Sequence, residues 1–259
     1  LRFDVIADAG LDAAQVGIER RIDPGLDQVP HVDQRRDLRA FDDGVEDSAQ
    51  APAVAERRCE GVDVRVRLAD AEDATAACEG ARRALAFLAR QGLASDHAIE
   101  VDVLPQLPAG LRPSAVGCYD RRTHRVVVLT YAAFLERGTW FGLPIDRELQ
   151  RSVVAHEVAH AVIGCQPSAA RLPLPAHEYM AYVAMFGTMA PPMRERVLEN
   201  YPGTGFDHEA QINSLMYGFD PMRFGANAWK HFRQQADGRA FFQRILAGET
   251  LRDELIFGD

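Results

Sequence analysis

The segment that most restricts the fold is "LQRSVVAHEVAHAVIG", residues 149 to 164. Around its two histidines and one glutamate, every position from Val153 to Val162 is uncharged and mostly apolar, so a helix built from it has no face suited to water. Such a helix belongs in the middle of a domain. Its limits are legible too: Asp146 is a candidate N-cap, Glu148 falls in the first turn and Gly164 is a stop signal, which predicts one helix of about five turns over 144–164. Burying two imidazoles and a carboxylate in this setting is costly unless something satisfies them. The segment therefore poses a chemical question as well as a structural one.

The rest of the chain supplies what such a helix packs against. "VDVRVRLA" (62–69) and "AIEVDVLP" (98–105) alternate apolar and polar residues as half-buried strands do, and "DATAACEGARRALAFLARQGL" (73–93) between them has helical spacing and ends at Gly92. "SAVGCYD" and "HRVVVLTY" read as two strands of a hairpin joined across "DRRT". After residue 165 only helix-like segments follow: "PAHEYMAYVAMFGTM" (175–189), "PPMRERVLENY", "DHEAQINSLMYG" and "ANAWKHFRQQADGRAFFQRIL". This order predicts an α+β fold, with a small mixed sheet, an edge hairpin and a helix in residues 56–165 and a mostly helical part in 166–259. Residues 1–55 hold neither period and carry most of the net negative charge, which predicts a poorly ordered leader or a pro-segment covering a cleft.

Composition narrows the function classes. The chain has 259 residues, a net charge of −9 and a pI near 5.4, and Lys230 is its only lysine; nucleic-acid binding relies on clustered Lys and Arg, so it is not expected here. No run is apolar for the roughly 18 to 20 residues that a membrane-spanning helix needs. No charged-then-apolar leader opens the sequence, although a processed export signal remains compatible with it. Cys59, Cys78, Cys118 and Cys165 lack the CxxC spacing of a cysteine zinc site; they allow two disulfides or four free thiols, and export is slightly favoured over a cytoplasmic location.

On a helix, residues four apart share a face, so His156 and His160 can aim both imidazoles at one point, as a single zinc ion requires. Glu157 is rotated about 100° from His156, which places it beside the metal, where it can take a proton instead of ligating. The segment resembles the active-site helix of the zincin metallopeptidases, which carries "HEVAH" in this setting; the resemblance is specific over residues 144–190 and architectural elsewhere. The metzincin branch has a glycine three positions after the second histidine and a third histidine three later, where this chain has Ile163 and Gln166, so that branch is excluded.

The gluzincin branch takes its third ligand from a glutamate on a following helix, and "EYMA" at 178–181 resembles its motif, with Glu178 standing 18 positions after His160. By this resemblance His156, His160 and Glu178 hold one Zn2+, and the open fourth position makes the site catalytic in type. His177 and His208 are rival third ligands. Thermolysin-like members place an aspartate four residues after the glutamate to support a ligating histidine; this chain has Tyr182 there, which leaves that support unassigned. The hairpin occupies a position similar to the edge strand on which zincins bind an extended peptide. For the oxyanion the resemblance implies a Tyr or His from the helical part, with Tyr217 and His231 the candidates and Tyr201 a third.

The expected function is thus zinc-dependent peptide-bond hydrolysis, with Glu157 as the general base for a zinc-bound water and a peptide or protein as substrate. The oligomeric state is not legible. A zincin-like protein that holds metal but binds a partner without cleaving it, and a metal-free helical interaction protein, are the alternatives.

Overall fold

The computed structural model describes residues 5–7, 55–68 and 70–252, all within one compact unit. The expectation for the leader, residues 1–55, lies outside the described residues except for Ala55 and a short strand, β1 (Val5–Ala7). Five further strands complete a mixed sheet: β2 (Ala55–Arg58), β3 (Val64–Leu68), β4 (Ile99–Leu104), β5 (Gly117–Asp120) and β6 (Arg125–Leu129), in the spatial order β1-β5-β6-β4-β3-β2. β3, β4 and β6 run parallel, while β2, β5 and β1 add antiparallel neighbours. The α+β expectation holds, as does the antiparallel hairpin of β5 and β6, but the hairpin is not at the edge of the sheet, because β1 pairs with the outer side of β5.

Side chains alternate across this sheet as the sequence period requires. Val64, Val66, Val101, Val126 and Val128 are buried on one face under α1 (Ala71–Arg90) and α3 (Arg147–Gly164). The opposite face carries Arg65, Arg67, Glu100, Asp102 and Arg125, where Asp102 accepts two hydrogen bonds from Arg67 at 2.6 and 2.7 Å and one from Arg125 at 3.0 Å. Two ion-paired arginines offset the burial of that carboxylate. α1 and α3 cross closely because Gly80 has no side chain: a Cβ there would stand 2.5 Å from the Arg151 carbonyl oxygen. Cys59 and Cys78 form a disulfide that ties the turn after β2 to α1, while Cys118 and Cys165 are free thiols.

The helices α4 (Leu174–Thr188), α5 (Pro191–Glu199), α6 (Ser214–Phe219), α7 (Pro221–Arg233) and α8 (Gly238–Leu246) follow. α4 is buried from Pro175 to Phe186 and packs between α3 and α7, so α4 and the stretch of α3 from Ser152 to Ile163 form the buried centre of the described residues. Departures from the sequence reading are local. The segment read as one helix over "ANAWKHFRQQADGRAFFQRIL" is two, because Asp237 accepts a hydrogen bond from the Ala240 amide and starts α8 afresh. "DHEAQINSLMYG" divides into a 3-10 turn, Glu209–Gln211, and α6, which Asn213 caps. The sequence reading missed β2, whose four residues are all exposed and so carry no apolar alternation, and missed α2 (Tyr131–Leu135) and the β7 (Thr139–Trp140) and β8 (Leu143–Pro144) pair, which are too short to establish a period.

Candidate metal centre

The position of α3 is fixed at its N-terminal end. Asp146 accepts from the Leu149 amide as the N-cap, Arg147 pairs with Asp73 of α1 and stacks over Tyr131, and Glu148 accepts from Arg83 at 2.7 Å and from the Ala190 amide at 2.8 Å. These contacts tie α3 to α1 and to the chain entering α5. More than two turns further along, α3 presents His156 and His160, and α4, returning alongside it, presents Glu178.

The three side chains converge. The two Nε2 atoms are 3.1 Å apart, each stands 3.5 Å from a different Glu178 oxygen, and one donor atom from each residue lies within 4.8 Å of the others. Tetrahedral zinc with ligand bonds of about 2.0–2.1 Å separates its ligand atoms by about 3.3 Å. The spacing of the three groups therefore fits one such ion. Glu178 is fully buried, and neither carboxylate oxygen accepts a hydrogen bond from any described residue. Burial alone would raise its carboxyl, but His160 and then His156 outweigh that and hold it down at about 2, so the site retains a negative charge facing two imidazoles. An unsatisfied buried carboxylate beside two inward-facing imidazoles is what a cation would complete.

Glu157 sits on the adjoining side of α3, against the sheet. A Cβ on Gly117 of β5 would lie 2.7 Å from the Glu157 Cγ and 2.8 Å from its Oε1, so the backbone of β5 rests directly on this side chain. Val116, Trp140, Val153 and Tyr182 line a narrow gap beside His156 and Glu157. Tyr182, at the position where the resemblance expected an aspartate, lays its ring 4.4 Å from the His156 ring. A separate surface cavity of about 430 Å³ lies along residues 105–112 and α2, and its charged lining side chains are Arg112, Glu136 and Arg137.

The rival ligands stand apart from this group. His177 is buried, but its Nε2 faces the Ala169 carbonyl oxygen at 3.0 Å and its ring centre is 6.5 Å from that of His160; burial lowers it to about 4. His208 is exposed at the start of the 3-10 turn. Among the oxyanion candidates, His231 is engaged through Nδ1 with the Tyr179 hydroxyl at 2.8 Å, and its Nε2 faces the Gln235 side chain. Burial lowers the His231 imidazole and raises the Tyr179 hydroxyl. Tyr217 is buried with its ring on Phe224, which also meets Tyr182, whereas Tyr201 packs against Phe141. Gly117 and Trp140 were missed by the sequence reading. A glycine inside a strand often marks close approach of another group, and that signal was present for Gly117.

The family described as "Family of unknown function (DUF6639)" matches residues 64–255, and the chain belongs to it. No curated protein and no solved structure matches the chain. The matched span contains every element from β3 to α8 and hence the whole candidate centre.

Proposed function

We propose that the chain is a zinc-dependent peptide hydrolase of the gluzincin type, with a zincin-like arrangement of sheet, active-site helix and following helix. One observation carries the proposal: His156, His160 and Glu178 place their donor atoms at the mutual distances of ligands on one tetrahedral ion, around a buried carboxylate that otherwise lacks a hydrogen bond among the described residues. A bound Zn2+ would act as a Lewis acid, polarising a peptide carbonyl and making water more acidic. The chain's own residues do the rest. His156, His160 and Glu178 hold the ion, and Glu157, pressed against Gly117 beside His156, accepts the proton of the attacking water and passes it to the leaving amine. Val116, Trp140 and Tyr182 keep the gap beside the base apolar and exclude bulk water.

Near-complete burial of the same atoms, with His156 at 6%, Glu157 at 4% and His160 at 1% exposure, favours a second reading, a protein that holds metal without cleaving. One experiment decides between them. Purified protein should contain close to one zinc per chain and lose it in His160→Ala; Glu157→Gln should keep the zinc and abolish cleavage of a peptide library. Metal-free wild-type protein would refute both readings, and cleavage unaffected by Glu157→Gln would refute the assigned base. The Cys59–Cys78 disulfide further supports an oxidising compartment, and with it export as a secreted or periplasmic protein. No helix among the described residues is long and apolar enough to cross a membrane.

A further inference from the structure

β5 is the strand nearest the candidate base, and its two sides differ. β6 pairs with one side over four residues; the other would be an open row of backbone donors and acceptors, the kind of edge to which another extended chain adds. Here β1 occupies it, antiparallel, with Val5 opposite Asp120, Ile6 opposite Tyr119 and Ala7 opposite Cys118. The next residue of β5 is Gly117, whose backbone rests on Glu157. The paired stretch thus stops one residue short of the candidate centre. Two features mark this strand as an occupant rather than a permanent member of the sheet. It has only three residues, and the few backbone hydrogen bonds so short a strand can make, each of modest net strength in water, leave the pairing weak enough to be displaced. It also comes from a part of the chain outside the family match, which begins at residue 64.

We propose that Val5–Ala7 is an internal strap: it fills the β5 edge beside the candidate metal centre and excludes an extended polypeptide from that edge until it is displaced. The partner that competes with it is a polypeptide segment in extended conformation, recognised through the backbone groups of Cys118–Asp120. This inference rests on the hydrolase reading only for the consequence that cleavage is held back; occupancy of the edge is independent of it.

The test uses the full chain. Ile6→Pro removes one backbone N–H from β1 and weakens its pairing. Ala7→Cys places a thiol opposite the native Cys118, so oxidation by diamide should clamp the strap shut. Amide hydrogen exchange over residues 117–120 reports occupancy, and anisotropy of fluorescein-labelled β-casein, measured in a Glu157→Gln background, reports access without cleavage. Ile6→Pro should speed exchange at 117–120 and tighten casein binding about tenfold. The oxidised Ala7→Cys chain should bind no casein, and mild reduction should restore binding, with wild type treated identically to control for Cys59–Cys78. The strap is refuted if exchange at 117–120 is the same in Ile6→Pro and wild type, or if the clamped chain binds casein as well as the reduced one. If Ile6→Pro does not fold, the Ala7→Cys chain decides alone. Casein that binds to Ile6→Pro with Glu157 intact but is never cut refutes the hydrolase reading and leaves the strap standing.

Discussion

Replacing Gly117 by alanine tests the placement of the base without touching a metal ligand. The new methyl carbon would stand 2.7 Å from the Glu157 Cγ, whereas carbon atoms in ordinary contact are about 3.5–4.0 Å apart, so one partner must recede by about 1 Å. β5 is held by β6 and α3 is fixed to α1 through Arg147 and Glu148, so the Glu157 side chain has to yield. A displacement of about 1 Å in a catalytic group costs on the order of 100-fold in rate, or about 2.7 kcal/mol of barrier. Overpacking should cost a further ~1–3 kcal/mol of folding stability, a loss that leaves the protein folded at room temperature. The assay is kcat on a fluorogenic peptide alongside zinc content and thermal midpoint: kcat is expected to fall about 100-fold with zinc retained. Combined with Glu157→Gln, Gly117→Ala should add almost no further loss, because the base it displaces is already gone. Full activity in Gly117→Ala, or loss of activity that tracks loss of zinc, would show that β5 does not position the base.

Two further outcomes follow from groups outside the reaction. Burial holds the folded pKa of His177 at about 4, below its ordinary value near 6.5, so the unfolded chain binds a proton there that the folded chain does not. Its neutral form is therefore favourable for stability above pH 6.5; that contribution declines as pH falls from about 6.5 to 4 and is fully lost below, and denaturant titrations with chelator present should show this acid limb flatten in His177→Gln. The Cys59–Cys78 bond closes a loop with a sequence separation of 19, worth about 3 kcal/mol in chain entropy, so the Cys59→Ser/Cys78→Ser double variant should lose about that much in urea denaturation. A loss below about 0.5 kcal/mol would show that the bond does not form in solution.

Much of this arrangement was legible because burial in it is extreme. α3 is buried without a break from Ser152 to Ile163, and its Asp146 cap and Gly164 end could be read directly; α4 is likewise buried from Pro175 to Phe186, with His177 and Glu178 its only polar side chains there besides the tyrosine hydroxyls. A buried carboxylate needs a compensating charge, and the periodicity that made both helices central implied that their polar residues would meet. The features that stayed hidden depend on contacts distant in sequence. β2 has no buried side chain and exists because β3 offers it an edge, and β1 pairs with a strand more than a hundred residues away. Tyr182 shows the limit most directly. Its spacing from Glu178 suggested a missing hydrogen-bonding partner for a histidine, but an aromatic ring is placed against His156 in the fold. Spacing along one helix reports which side chains share a face, and only the packing of α4 on α3 and α7 determines what that face does when it arrives.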